Sequence, residues 1–159
     1  MNITVISVGK IKEKFFKAAI EEYAKRLSRY CRFEIVEVKD EKTPDNPSVR
    51  EREMVLNTEG ERIISKLPKN AKIISLCVEG ESVSSEGLAD IINECCINGT
   101  GSIVFIIGGS MGLSDSVKKM SDIRLSFSKL TFPHMLMRVI LSEQIYRAFT
   151  IIEGKTYHK

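Results

Sequence analysis

Five short apolar, largely β-branched runs alternate with five segments whose apolar residues recur at helical spacing, and this alternation limits the possible folds more than any other feature. Asn2–Gly9 (NITVISVG) reads as a buried strand. Lys12–Tyr30 then carries Phe15, Phe16, Ala19, Ile20, Tyr23, Ala24 and Leu27 as one helical stripe. Arg32–Lys39 (RFEIVEVK) alternates as a second strand, and Asp40–Ser48, with two prolines, predicts a surface loop. Val49–Leu67 predicts a charged helix in which Gly60 is a weak point. Ala71–Val78 (AKIISLCV) is a third strand, followed by a predicted turn at Glu79-Gly80-Glu81. Ser84 or Ser85 can cap a helix to about Ile97, Asn98–Gly101 turns the chain, and Ser102–Ile107 is a fourth strand. Ser114 can cap a short helix to Met120, and Ile123–Phe127 supplies a fifth strand. Pro133 suits the first turn of a long helix ending near Ile152, where its missing N–H is not needed. Such alternation predicts an α/β fold with a mainly parallel sheet flanked by helices. Ligands of these sheets sit beyond the carboxyl ends of the strands, so the loops after Val78, Ile107 and Phe127 are the candidate sites.

A length of 159 residues suits one domain, 1–159, with 43% hydrophobic and 28% charged residues giving it an ordinary globular composition. The longest uncharged stretch, Cys95–Ser114, is broken by Asn98 and glycines, so no membrane span is expected. No basic leader precedes the first apolar run, so no signal peptide is expected either. Cys31, Cys77, Cys95 and Cys96 make no zinc-ligand spacing with His134 and His158; no metal is expected, and the thiols read as free in a reducing cytoplasm.

The net charge of +3 is unevenly spread. Residues 10–32 carry eight Lys/Arg against three Glu, and 118–159 carry eight against three acids, whereas 34–61 carry four against nine. This asymmetry hints at an anionic partner met by the first helix and the C-terminal third; two solvated faces fit it equally well. Between 73 and 117 there are six acids and no Lys or Arg.

That cation-free segment contains IIGGSMG at 106–112, where the fourth strand runs into glycines. A dinucleotide fingerprint belongs after a first strand, and a phosphate-binding P-loop needs a lysine that is absent here. A neutral or cationic ligand held by backbone groups suits the local charge better. Standing alone, the motif would read as a tight turn.

It does not stand alone. Ser126–Phe149 reads SFSKLTFPHMLMRVILSEQIYRAF, and the chain ends GKTYHK. With IIGGSMGLS, SSEGLA at Ser84–Ala89 and ITVISVGKIKEKFFKAAIEEYAKRL near the N-terminus, these motifs resemble, over the full length, the bacterial ribosomal large-subunit methyltransferase H family. Members are knotted methyltransferases of the SPOUT class. The resemblance implies a C-terminal deep trefoil knot that binds S-adenosylmethionine through Leu76, Gly108 and the run Phe127, Ser128, Lys129, Leu130, Thr131 and Phe132. It implies methylation of N3 of a pseudouridine in helix 69 of 23S rRNA, by a cytoplasmic homodimer acting on assembled 70S ribosomes, with no membrane or metal involved. It also implies that a C-terminal tail, 154–159, completes the site across the dimer.

The residues fit that chemistry. Gly108 would let an adenosine approach where a Cβ would collide, and a loop without Lys or Arg would not repel a sulfonium. A uracil-type N3–H must be lost during attack, so a base or a stabilising cation helps. His134, Arg138, Tyr157 and His158 are the candidates. His134 is also compatible with an ordinary helix-start position, and Arg138 with pairing to Glu143 or Asp115. Glu143 and Arg147, one turn apart, read as a structural pair. The last helix is apolar nearly all round, which predicts burial at a subunit interface. Lys10, Lys12 and Lys129 are candidates for phosphate contacts. A non-catalytic ribosome-binding factor and a small nucleotide-dependent oxidoreductase are the competing classes; intact FSKLTF and GGSMG count against the first and the missing fingerprint against the second.

Overall fold

The computed structural model describes residues 1–157. In chain order the elements are β1 (Asn2–Val8), α1 (Lys14–Leu27), β2 (Arg32–Val38), α2 (Val49–Ile64), β3 (Lys72–Ser82), α3 (Ser85–Ile97), β4 (Ser102–Ile107), α4 (Asp115–Met120), β5 (Ile123–Ser126) and α5 (His134–Ile152). All strand pairings are parallel, in the order β2-β1-β4-β3-β5.

Strand side chains alternate between two apolar layers. Ile103, Phe105 and Ile107 of β4 pack with Leu27, Ile92 and Ile145 from α1, α3 and α5. Val104 and Ile106 pack with Ile63 and Val117 from α2 and α4. A strand buried on both faces must be apolar at every position, which is why SIVFII lacks the alternation seen in RFEIVEV at the sheet edge.

Local chemistry sets the helix ends. Ser48 and Glu51 form a reciprocal capping box at the start of α2. Ser84 and Ser114 cap α3 and α4 by accepting backbone N–H bonds. Gly154, at φ 65°, ends α5; its N–H reaches Ile151 and the Lys155 N–H reaches Thr150, a Schellman closure. Gly60 is tolerated inside α2 because a Cβ there would press on the Ser114 hydroxyl and lie 3.1 Å from its Cβ. The glycine is what lets α4 approach α2.

Three expectations change. Pro133 is the N-cap of α5 rather than part of its first turn, its extended ψ of 131° leading the loop in. The last strand ends at Ser126, leaving Phe127 to the following loop. The turn expected at Glu79-Gly80-Glu81 is instead part of β3. Leu76 and Glu81 both register with Leu125, so residues 77–80 bulge outward and the strand resumes to Ser82. Gly80 permits this, because a Cβ there would lie 2.5 Å from the Leu125 carbonyl carbon.

Candidate active site

The carboxyl ends of β3, β4 and β5 open into one cavity of about 640 Å³, a size suited to a small-molecule ligand. Three walls come from the three loops that the strand pattern marks. Strand β3 supplies Leu76 and its bulge Cys77 to Glu79, the glycine loop supplies Ile107 to Leu113, and the segment after β5 supplies Phe127, Ser128 and Leu130 to Phe132. Pro133, His134 and Met137, from the start of α5, line it too. Leu76, Gly108, Phe127, Ser128, Leu130, Thr131 and Phe132 therefore all line the cavity, whereas Lys129 does not. The Ser128 hydroxyl accepts the Leu130 N–H at 2.9 Å, and the Ser126 hydroxyl donates to the Ser128 carbonyl at 3.0 Å. These bonds hold a turn within the FSKLTF segment.

The structure adds a second reason for Gly108. A Cβ on Gly108 would strike the Gly112 carbonyl oxygen and lie 2.5 Å from its carbon. The Gly112 N–H donates to the Gly109 carbonyl at 3.1 Å, and Gly112 has φ 88°. IIGGSMG is thus a tight turn that folds back on its own strand end, and the turn forms a wall of the cavity.

The cavity is not free of cations. Lys118, from α4, lines it and pairs with Glu79 of the bulge. The Lys118 ammonium holds the Glu79 carboxyl below the usual carboxylate range. The pair cancels most of its own field, so the wall stays close to neutral. Lys118 and Met137 were not marked as site residues by sequence, and Cys77, Val78 and Glu79 only as the approach to a candidate loop. The bulge depends on pairing with a strand some forty residues later, and locally Glu79-Gly80-Glu81 reads as a turn that ends the strand.

His134 begins α5 and lines the cavity. Burial holds its imidazole below the usual 6.5, with Arg138 acting the same way and Asp40 opposing. It is therefore neutral, and able to accept a proton, near pH 7. The end of β1 lies beside it: a Cβ on Gly9 would be 3.7 Å from His134 Nε2.

Arg138 stands elsewhere. Its side chain is fully buried and does not line the cavity. Its Nη1 donates to Glu37 at 2.9 Å, and its Nη2 donates to the carbonyls of Val8 at 2.6 Å and Gly9 at 2.9 Å. The same Glu37 oxygen accepts the Ile11 N–H at 2.9 Å. Arg138 thus clamps the β1–α1 connection, and its partner is neither Glu143 nor Asp115 but a residue 101 positions away. The Glu143–Arg147 pair forms as expected, at 2.6 Å.

Tyr157 packs on its own α5, its ring 5.0 Å from that of Tyr146, under the Arg147 guanidinium, with its hydroxyl 3.3 Å from Glu143. From His134 to Tyr146 is twelve helical residues, about 18 Å along the axis. One protomer therefore does not bring Tyr157 and His134 together. His158 lies outside the described residues.

Among the described residues no group of three or more His, Cys, Asp or Glu could hold a metal ion, and no helix is long and apolar enough to cross a membrane.

Comparison with known proteins adds the family. A model described as a predicted SPOUT methyltransferase matches residues 1–158. A Methanococcus maripaludis (strain C5) protein is 57% identical over the whole of both chains. The ribosomal RNA large subunit methyltransferase H of Clostridium botulinum (strain Kyoto / Type A2) is 54% identical, again over the whole of both. Among solved structures, a methylase family protein from Haemophilus influenzae Rd KW20 aligns over 99% of this chain and 70% of its own, at TM-score 0.54 and 12% identity, a likeness of fold alone.

Proposed function

The chain belongs to the SPOUT methyltransferase family, and from that premise we propose that it transfers a methyl group from S-adenosylmethionine to large-subunit ribosomal RNA. Within that RNA the target is N3 of a pseudouridine in helix 69 of the 23S molecule, presented by the assembled 70S ribosome. The observation that carries the reading is the cavity itself. The loops after β3, β4 and β5, which hold the family-like motifs, converge on one space with a mostly apolar wall and a near-neutral ion pair.

S-adenosylmethionine, when bound, supplies an already activated methyl group. The cavity residues fit it: exposed backbone of the bulge and of the FSKLTF segment offers N–H and C=O groups to an adenine edge, and Leu76, Phe127 and Leu130 offer apolar cover. We read the C-terminal half as the family's deep trefoil knot, consistent with a sheet order that places β4 between β1 and β3 and with both later loops sharing one cavity.

The remaining work is orientation and proton removal. His134, neutral and lining the cavity, accepts the N3 proton; His158 is the second candidate base. Tyr157 donates to a uracil carbonyl as negative charge builds. Because Tyr157 packs beside Tyr146, about 18 Å along α5 from His134, it acts at the cavity of another copy. The working unit is accordingly a homodimer of one-domain chains, 1–159, in the cytoplasm, with the 154–159 tails completing the sites. Arg138 acts through the β1–α1 connection that it clamps, not on the substrate. Lys129, exposed beside the cavity, meets RNA phosphate rather than cofactor.

Calorimetry with S-adenosylmethionine, S-adenosylhomocysteine and NADH tests the cofactor assignment. The first two should bind with one site per chain and NADH should not. NADH binding without S-adenosylmethionine binding would replace this reading with that of an oxidoreductase.

A further inference from the structure

The segment between β1 and α1 carries a feature that the cavity does not explain. Phe15, in the first turn of α1, leaves 66% of its surface in water. Its ring lies 4.4 Å from that of Phe16, tilted by 55°. Lys10, Lys12, Lys14 and Lys17 surround it in sequence and are all exposed. None forms an ion pair among the described residues, and Glu13 is the only acid between Lys10 and Lys17. An exposed aromatic ring costs solvation, and four unpaired lysines within eight residues repel one another. Both costs vanish against a partner that presents flat rings and phosphates together.

The strip is also anchored to the site. Gly9, immediately before Lys10, lies against His134 and Met135 at the start of α5. Arg138 grips the Gly9 carbonyl, and Glu37 holds both Arg138 and the Ile11 N–H. A buried guanidinium thus fixes where the lysines and Phe15 begin relative to the proton-accepting histidine.

We propose that Phe15 is a stacking platform for an unpaired base of the RNA substrate, flanking the methylated nucleotide, with Lys10, Lys12, Lys14 and Lys17 taking the adjoining phosphates. This rests on the ribosomal RNA reading above and deepens it, since a looped RNA can splay a neighbouring base outward onto an aromatic side chain. Charge decides against a second copy of the chain as occupant, because an equally basic strip would face it across a symmetric contact.

The chain contains no tryptophan, so Phe15→Trp introduces a single fluorophore at the platform. The full-length variant is titrated at low salt with a labelled single-stranded oligouridylate and, separately, with an abasic oligonucleotide of equal length. Binding is followed by anisotropy of the label and stacking by quenching of the indole. The proposal expects both oligomers to bind and only the base-bearing one to quench. Quenching by neither, whether or not they bind, overturns it, as does equal quenching by both. On ribosomal particles, Phe15→Ala should raise KM by roughly five- to a hundredfold, the range for one lost base stack, and Phe15→Trp should restore it. Cofactor affinity and molar mass should not move; a drop in mass with Phe15→Ala would assign the ring to a contact between copies and overturn the proposal. The quenching readout needs no turnover, so a wild-type protein that methylates no ribosomal RNA would refute the enzymatic reading independently.

Discussion

Replacing Gly108 by alanine separates the turn from the ligand as the reason for that glycine. The added Cβ would lie 2.5 Å from the Gly112 carbonyl carbon and 3.1 Å from its Cα. These are backbone atoms, and no rotamer relieves the contact. Restoring an ordinary separation requires the Gly109–Gly112 turn to move by about 1 Å, since it is bonded to itself through Gly112 N–H and cannot give at one atom. Overpacking of this kind costs about 1–3 kcal/mol. A wall displaced by about 1 Å can cost about a hundredfold in a positioned reaction. Gly108→Ala should therefore lose measurable stability in urea and weaken S-adenosylmethionine binding at least about tenfold by calorimetry, with methyl transfer falling further. Gly101→Ala is the control, because no atom lies within 4 Å of a Cβ there. Wild-type stability together with wild-type cofactor affinity in Gly108→Ala would refute the argument that this turn is packed against its own strand and shapes the cavity.

Arg138→Lys removes the planar fork that bridges Glu37 and two carbonyls, and should destabilise the fold by about 1–3 kcal/mol in denaturant titration, because the Val8 and Gly9 carbonyls lose their buried donor. Burial holds the His134 pKa below its unfolded value of 6.5, so the unfolded chain binds the proton first. Stability should consequently be full above about pH 6.5 and fall as the pH drops through the folded-state value. His134→Gln should lose that part of the pH dependence in thermal melts and also slow methyl transfer. Deleting 157–159 takes away the Tyr157 ring with its contacts to Tyr146 and Arg147 and its 3.3 Å bond to Glu143, so stability should fall by only about 1–2 kcal/mol and cofactor affinity should hold, while turnover on ribosomes collapses. Light scattering of the wild type at micromolar concentration should give twice the chain mass.

Much of the frame is legible in the sequence because parallel strands buried on both faces announce themselves as apolar runs, and SIVFII and NITVISV are such runs. Serine caps at Ser84 and Ser114 mark helix starts by a local bond, so local sequence suffices there too. What escapes is set by distant partners. The bulge at 77–80 exists because β5 pairs with β3 on both sides of it. The clamp between Arg138 and Glu37 joins residues 101 apart, and no helical spacing points to it. Lys118 enters the cavity from α4, one residue beyond the segment 73–117 that carries no Lys or Arg. The motifs expected to hold a cofactor, by contrast, are contiguous stretches at strand ends, and seven of those eight residues line the cavity.

The central claim is chemical and is tested most directly by labelled methyl transfer. The purified protein is incubated with S-adenosylmethionine carrying a radioactive methyl group and with 70S ribosomes lacking the modification, and the labelled nucleotide is located by digestion and mass spectrometry. The label should appear in 23S rRNA, on N3 of a pseudouridine in helix 69, and should be sparse on the same RNA stripped of protein. Label absent from the large-subunit RNA, or placed on another RNA by a protein that binds S-adenosylmethionine normally, would contradict the account.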